Sequence, residues 1–148
     1  MKHFKLTSET KINALGIKLF RIECIIDCKW AKVGDKGGWI EKENNLSGNA
    51  WVGGDAEVYG DAKVSGNAWV YGNAKVSGNA DYCCFQAFGS TNRTTTVFKT
   101  PDGVRINCGC FNGSLDDFVK RVDETHGDNK FGREYRAIIE VIKAKFDL

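Results

Sequence analysis

The side chains of this 148-residue sequence best suited to metal or nucleophile chemistry are six cysteines and two histidines. Cys108-Gly-Cys110 puts two thiols on one face of a strand, and Cys83-Cys84 lies in a neighbouring strand segment, so these four are the candidate ligands of a zinc site. Structural zinc sites usually bring ligand pairs two to four residues apart, and free cysteine is among the most buried residue types. The spacing therefore favours thiols in the core over metal ligands. Cys24 and Cys28 are spaced for a helix and stand outside the set.

His126, in Glu124-Thr125-His126-Gly127-Asp128, stands where a helix ends, and a histidine there interacts favourably with the helix dipole without catalysing anything. No paired nucleophile or second base lies near it in sequence. Gly34-Asp-Lys-Gly-Gly38 lacks the strand, the helix and the Lys-Ser/Thr of a phosphate loop, and reads as a turn. Asn92-Arg93-Thr94 matches a glycosylation sequon that an intracellular chain would not use. No catalytic residue and no cofactor are assigned, and the balance favours a protein without catalysis.

The elements that must position these groups are dominated by a repeat. From Ser47 the chain reads SGNAWV, GGDAEV, YGDAKV, SGNAWV, YGNAKV, SGNADY: consecutive hexads with Gly, Asn or Asp, Ala and an aliphatic residue at fixed places. The aliphatic position recurs at Ile40, Leu46, Val52, Val58, Val64, Val70 and Val76, and the alanine at Ala50, Ala56, Ala62, Ala68, Ala74 and Ala80. Gly-Asn and Gly-Asp steps suit corners that need positive φ.

This pattern resembles the hexapeptide-repeat family, in which the aliphatic residue points inward and three hexads make one triangular coil. The resemblance implies a mainly β fold: a short left-handed parallel β-helix over residues 40–82. Positions 18 apart would then stack at the roughly 4.8 Å spacing of paired strands. At that offset Trp51 falls over Trp69, Glu57 over Lys75 and Lys63 over Asp81, one aromatic stack and two opposite-charge pairs. A little more than two coils cannot stand alone, so the flanks should be caps.

Residues 1–39 read as an N-terminal β-hairpin cap, with a strand over residues 17–26 and a second over residues 29–33. Residues 83–148 read as a β-β-β-α-α unit, with strands at 81–88, 94–99 and 104–111. Ser114-Leu-Asp-Asp117 starts a helix that Gly127 ends, and Asp128 or Asn129 caps a second helix with apolar positions Phe131, Tyr135, Ile138, Ile139, Ile142 and Phe146. The three segments are expected to form one compact body. Lys18-Leu-Phe-Arg-Ile22, Gly37-Gly-Trp-Ile-Glu41 and the hexads together resemble small hexapeptide-repeat proteins of phages and prophages. The tail motif Cys108-Gly-Cys110-Phe111 with Thr125-His126-Gly127-Asp128-Asn129 is similar to the same group. That resemblance implies an origin rather than a chemistry.

The formal net charge is +2, and no segment is a basic arm or an acidic tail, which disfavours nucleic acid as a partner. The first residues hold no signal-like apolar stretch and no run is apolar enough for a membrane span, so a soluble cytoplasmic protein is expected, in the host cytoplasm if phage-encoded. Trp51, Trp69, Tyr59 and Tyr71, with Glu57 and Lys75, are expected outward on the coil faces, where large aromatics mark either covered core or a partner surface. The expected function is binding: a rigid rod presenting that face to a protein partner, a host protein or a second copy of the chain. With the phage-like resemblance it suggests an inhibitor of a host component such as a defence system. The alternative is a nucleotide or acyl-coenzyme A site between subunits of a trimer. Acyltransferases of the hexapeptide family use a histidine base, whereas neither His3 nor His126 lies in this repeat.

Overall fold

The computed structural model describes residues 2–148. β1 (Phe4–Ile12) and β2 (Lys18–Cys24) form an antiparallel hairpin, and β3 (Lys36–Ile40) adds antiparallel to β2. Asn13 orders the β1–β2 turn, its side-chain oxygen accepting from the backbone N–H groups of Leu15 and Ile17. The hexads contribute four strands of two residues each: β4 (Trp51–Val52), β5 (Glu57–Val58), β6 (Trp69–Val70) and β7 (Lys75–Val76). β3, β5 and β7 pair in parallel, β4 pairs with β6, and Leu46 meets Val64 in an isolated parallel bridge.

These pairings correct the expected fold class. The hexads do not make a left-handed β-helix with separate caps. They are divided between a five-stranded mixed sheet in the order β1-β2-β3-β5-β7 and a separate two-stranded parallel sheet. The physical reason is that two-residue strands offer few ladder bonds, so the longer N-terminal strands continue the hexad sheet instead of closing its end. The architecture is mainly β, with eleven strands in mixed, parallel and antiparallel sheets and two C-terminal helices. The N-terminal segment differs as well. β1 is a strand that the sequence hid, because eight of its nine residues are not buried, and residues 29–33 form no strand.

Within that architecture the residues 18 apart do meet: Trp51 pairs with Trp69 and Glu57 with Lys75. Lys63 and Asp81 do not pair, since Asp81 turns to Lys99 and to Ser77. Ile40, Leu46, Val52, Val58, Val64, Val70 and Val76 are all 2% exposed or less. Burying each such side chain contributes about 1.5–3 kcal/mol. Ala80 breaks the series, exposed on the short 3-10 turn Asn79–Asp81. At the corner formed by Gly48, glycine is required twice over. Gly48 has φ 63°, and a Cβ there would lie 3.1 Å from the backbone of Gly66 in the next layer.

β8 (Tyr82–Phe88), β9 (Arg93–Thr100), β10 (Gly103–Cys108) and β11 (Phe111–Ser114) form an antiparallel sheet in the order β11-β10-β9-β8. The expected strand over residues 104–111 is two, because the chain reverses at Gly109. α1 (Leu115–His126) starts at Ser114, whose hydroxyl accepts from Asp117 N–H, and α2 (Lys130–Phe146) starts at Asn129, which caps Gly132 N–H. This sheet is a middle layer. Val97, Ile106 and Cys108 pack beneath the helices with Phe118, Val122, Tyr135 and Ile142, while Phe98 joins the core of the hexads. No helix among the described residues is long and apolar enough to cross a membrane.

Glu57 is the charge most deeply embedded in the five-stranded sheet, 4% exposed, with Lys75 Nζ at 2.6 Å and Lys11 Nζ at 3.0 Å. Burial raises its pKa, but the hydrogen bonds and charges of Lys75 and Lys11 outweigh burial and hold the carboxyl below its ordinary 4.5. Such a group stabilises the fold above pH 4.5 and loses that contribution as pH falls through its lowered value. Glu57→Gln should therefore cost about 1.5–3 kcal/mol at neutral pH, the range for hydrogen bonds to charged groups. Urea titrations between pH 7 and 3 should show wild type and variant converging below pH 4.5.

Candidate functional site

The residues expected to form a partner face are largely inside. Trp51 is 3% exposed and lies beneath His3, whose ring centroid is 6.0 Å away and whose Nε2 donates to the Ala50 carbonyl at 2.7 Å. Tyr59 packs with Leu19 and Trp39, and burial pushes its phenol up. Glu57 is enclosed by its lysines, with Lys75 half-buried beside it. Trp69 is half-buried under Trp30, stacked at 4.9 Å with 14° between planes. Tyr71, at 40% exposure and 5.0 Å from Trp69, is the member of the six that faces solvent. Apart from Tyr71, the expected outward aromatics are thus covered, by β1–β3, the Trp30 loop and the middle sheet rather than by the tail helices.

The cysteines are kept apart by strand geometry. Cys83 and Cys84, as strand neighbours, point to opposite faces: Cys83 to the helices, Cys84 to the hexads. β9 separates both from Cys108 on β10, and Cys110 is exposed in the β10–β11 turn. Burial pushes the Cys83 thiol up to about 11, and raises Cys84 and Cys24 as well. Among the described residues no group of three or more His, Cys, Asp or Glu side chains is gathered as a metal ion would need.

A different set converges at the end of the middle sheet. Between the β10–β11 turn, the start of β9 and the two helices lies a cavity of about 220 Å³. α1 supplies Phe118, Arg121, Val122, Thr125 and His126 from one face, at the helical spacings of three, four, seven and eight residues. An aromatic wall runs through it. His126 stacks on Tyr135 at 5.5 Å, Tyr135 meets Phe118 edge-on at 5.7 Å, and Phe118 lies 5.4 Å from Phe111. Beneath the wall, Thr95 donates to the Cys108 thiol at 3.1 Å, that thiol donates to the Tyr135 hydroxyl at 3.7 Å, and the hydroxyl donates to the Phe88 carbonyl at 3.5 Å. Burial, with Cys108 alongside, raises the Tyr135 pKa, so the phenol stays protonated.

The rim of the cavity is cationic. Arg93 is half-buried, its Nε donating to Thr91 at 2.9 Å, and its guanidinium lies against Gly109. A Cβ on Gly109 would clash with the Arg93 guanidinium, and Gly109 also has φ 60°. Glycine at this turn is what lets the arginine occupy the rim. Arg121 extends over the Phe111 ring at 5.4 Å. No Asp or Glu lines the cavity, and among the described residues neither arginine forms an ion pair with a carboxylate.

Two of the four thiols weighed as zinc ligands, Cys108 and Cys110, line this cavity with His126, but Arg93, Arg121, Phe118 and Tyr135 were not read as site residues. The available signal was the run 118, 121, 122, 125, 126 on one face of α1, which places an arginine and a histidine beside apolar residues. Arg93 carried no such signal, since a chain reversal brings it there. No protein-family model matches the chain, and no curated protein matches it.

Trp51→Ala should lower unfolding free energy by about 3–5 kcal/mol, the cost of emptying a large core site. Tyr71→Ala should cost less, about 0.5–1.5 kcal/mol, the worth of its ring contact with Trp69. Chemical denaturation of the two variants separates covered core from exposed face.

Proposed function

We propose that the protein is a non-enzymatic binding protein whose site is the cavity between α1, α2 and the β10–β11 turn, and that its ligand is a small anion. The observation that carries this is two arginines with no carboxylate partner sharing one aromatic-walled cavity that no acid lines. An arginine that is not neutralised by the fold is available to bind an anion, and its planar fork gives that contact direction as well as energy. Binding rather than turnover is supported by the state of the other polar groups. Cys108 and Tyr135 are engaged with each other and with Thr95, and His126 is stacked on a ring rather than hydrogen-bonded to a nucleophile.

A small ligand is favoured over the flat docking face expected from the hexads, because Trp51, Tyr59 and Glu57 are buried. The phage-like hexads and tail motif support a phage or prophage origin and a cytoplasmic setting in a host cell. There, capture of a host ligand would act as inhibition.

Titration calorimetry with phosphate, pyrophosphate, a mononucleotide and small carboxylates tests the proposal. At least one anion should bind with a Kd below about 1 mM, and Arg93→Gln and Arg121→Gln should each weaken it about tenfold, or 1.4 kcal/mol. Gly109→Ala should weaken it too, by displacing the Arg93 guanidinium. If no anion in the panel produces heat or a thermal shift, the proposal fails.

A further inference from the structure

The rim and floor of the cavity differ in character, and the difference limits what can sit there. The floor is apolar and its polar atoms are already matched: the Cys108 thiol by Thr95 and Tyr135, and the Tyr135 hydroxyl by the Phe88 carbonyl. A sugar or base pressed onto that floor would bury hydroxyls and ring nitrogens without partners, which is costly, since the cavity's other polar side chains, Ser90, Thr125 and His126, stand toward its rim. The charge lies at the mouth, on Arg93 and Arg121. The volume of about 220 Å³ is below the roughly 300 Å³ at which pockets for drug-sized ligands begin, so a nucleotide or coenzyme A could not enter whole.

We infer that the ligand is a small amphiphilic carboxylate, an aryl or branched-alkyl acid, with its carboxylate on the Arg93 and Arg121 guanidiniums and its apolar body on Phe111, Phe118 and Val122. This rests on the anion-binding reading and narrows it to one chemical class. A carboxylate is flat, singly charged and matched to the guanidinium fork, and an apolar tail gains by leaving water for a floor that asks for no hydrogen bonds.

Cys110 provides the readout, being exposed, lining the same cavity and lying next to Gly109. Iodoacetate is itself a small carboxylate; its carbon is attacked by the Cys110 sulfur, iodide leaves, a thioether forms and the thiol proton passes to solvent. Iodoacetamide does the same without the charge. Peptide mass spectrometry of the intact folded protein follows both reagents at Cys110, with Cys28 in the N-terminal loop as the internal reference. The iodoacetate-to-iodoacetamide rate ratio at Cys110 should exceed that at Cys28 by about tenfold or more, as expected where a cationic cleft concentrates an anion. Benzoate should protect Cys110 saturably, and inorganic phosphate at matched ionic strength should not. Arg121→Gln, at an exposed position that the core does not need, should lower the ratio toward that of Cys28. Equal ratios at the two cysteines with no protection by benzoate would overturn the inference. Protection by phosphate in preference to benzoate would also overturn it while leaving anion binding intact.

Discussion

β9 is buried on both faces, and the rest of the molecule is arranged around that demand. Val97 and Phe98 are consecutive residues, 0% and 2% exposed, and they point into different cores. A strand in this position needs apolar cover on each side and neighbours on each edge. The hexads supply one cover, the helices supply the other, and β8 and β10 supply the edges. Trp69 shows how the layers lock. Its backbone N–H donates to Thr96 Oγ1 at 3.0 Å, and its carbonyl accepts from Asn107 Nδ2 at 3.0 Å. Side chains of the middle sheet thereby complete backbone groups that the two-stranded sheet leaves open, as buried backbone polar groups require.

The same demand explains why the hexads do not form an independent rod. Their strands are two residues long, and their aliphatic residues face inward as the repeat dictates, but their outer aromatic positions also need cover. β1–β3, the Trp30 loop and the middle sheet provide it, so Trp51 and Trp69 become packing residues. Trp30 is held over Trp69 by its indole N–H, which donates to the Asn67 carbonyl at 2.9 Å. Cover of this kind trades a binding face for stability, and leaves the cavity under α1 as a place where two arginines share a recess that no acid lines.

That cavity follows from chain reversals rather than from any single element. The turn at residues 109–110 ends β10 early, so that Cys108 stays in the core, Cys110 emerges and Arg93 from the adjacent strand lies across the glycine. α1 then returns over the gap with its mixed face inward. The result is an apolar recess with its charges at the entrance, where they keep their hydration.

The sequence by itself determined that the aliphatic positions from Ile40 to Val76 are buried, the 18-residue offset at which Trp51 meets Trp69 and Glu57 meets Lys75, and the start and end of α1 at Ser114 and Gly127. These are local or periodic properties, set by side-chain volume, by glycine at positive φ and by capping hydroxyls and amides, so they are written in neighbouring residues. Tertiary structure alone decided how the hexads were shared among sheets, that the polar strand β1 exists, which aromatics were covered, and that Arg93 and Arg121 face one cavity. Those outcomes turn on which distant surfaces compete to cover the same apolar groups, and a comparison of that kind is made between folded layers, not between neighbours along the chain.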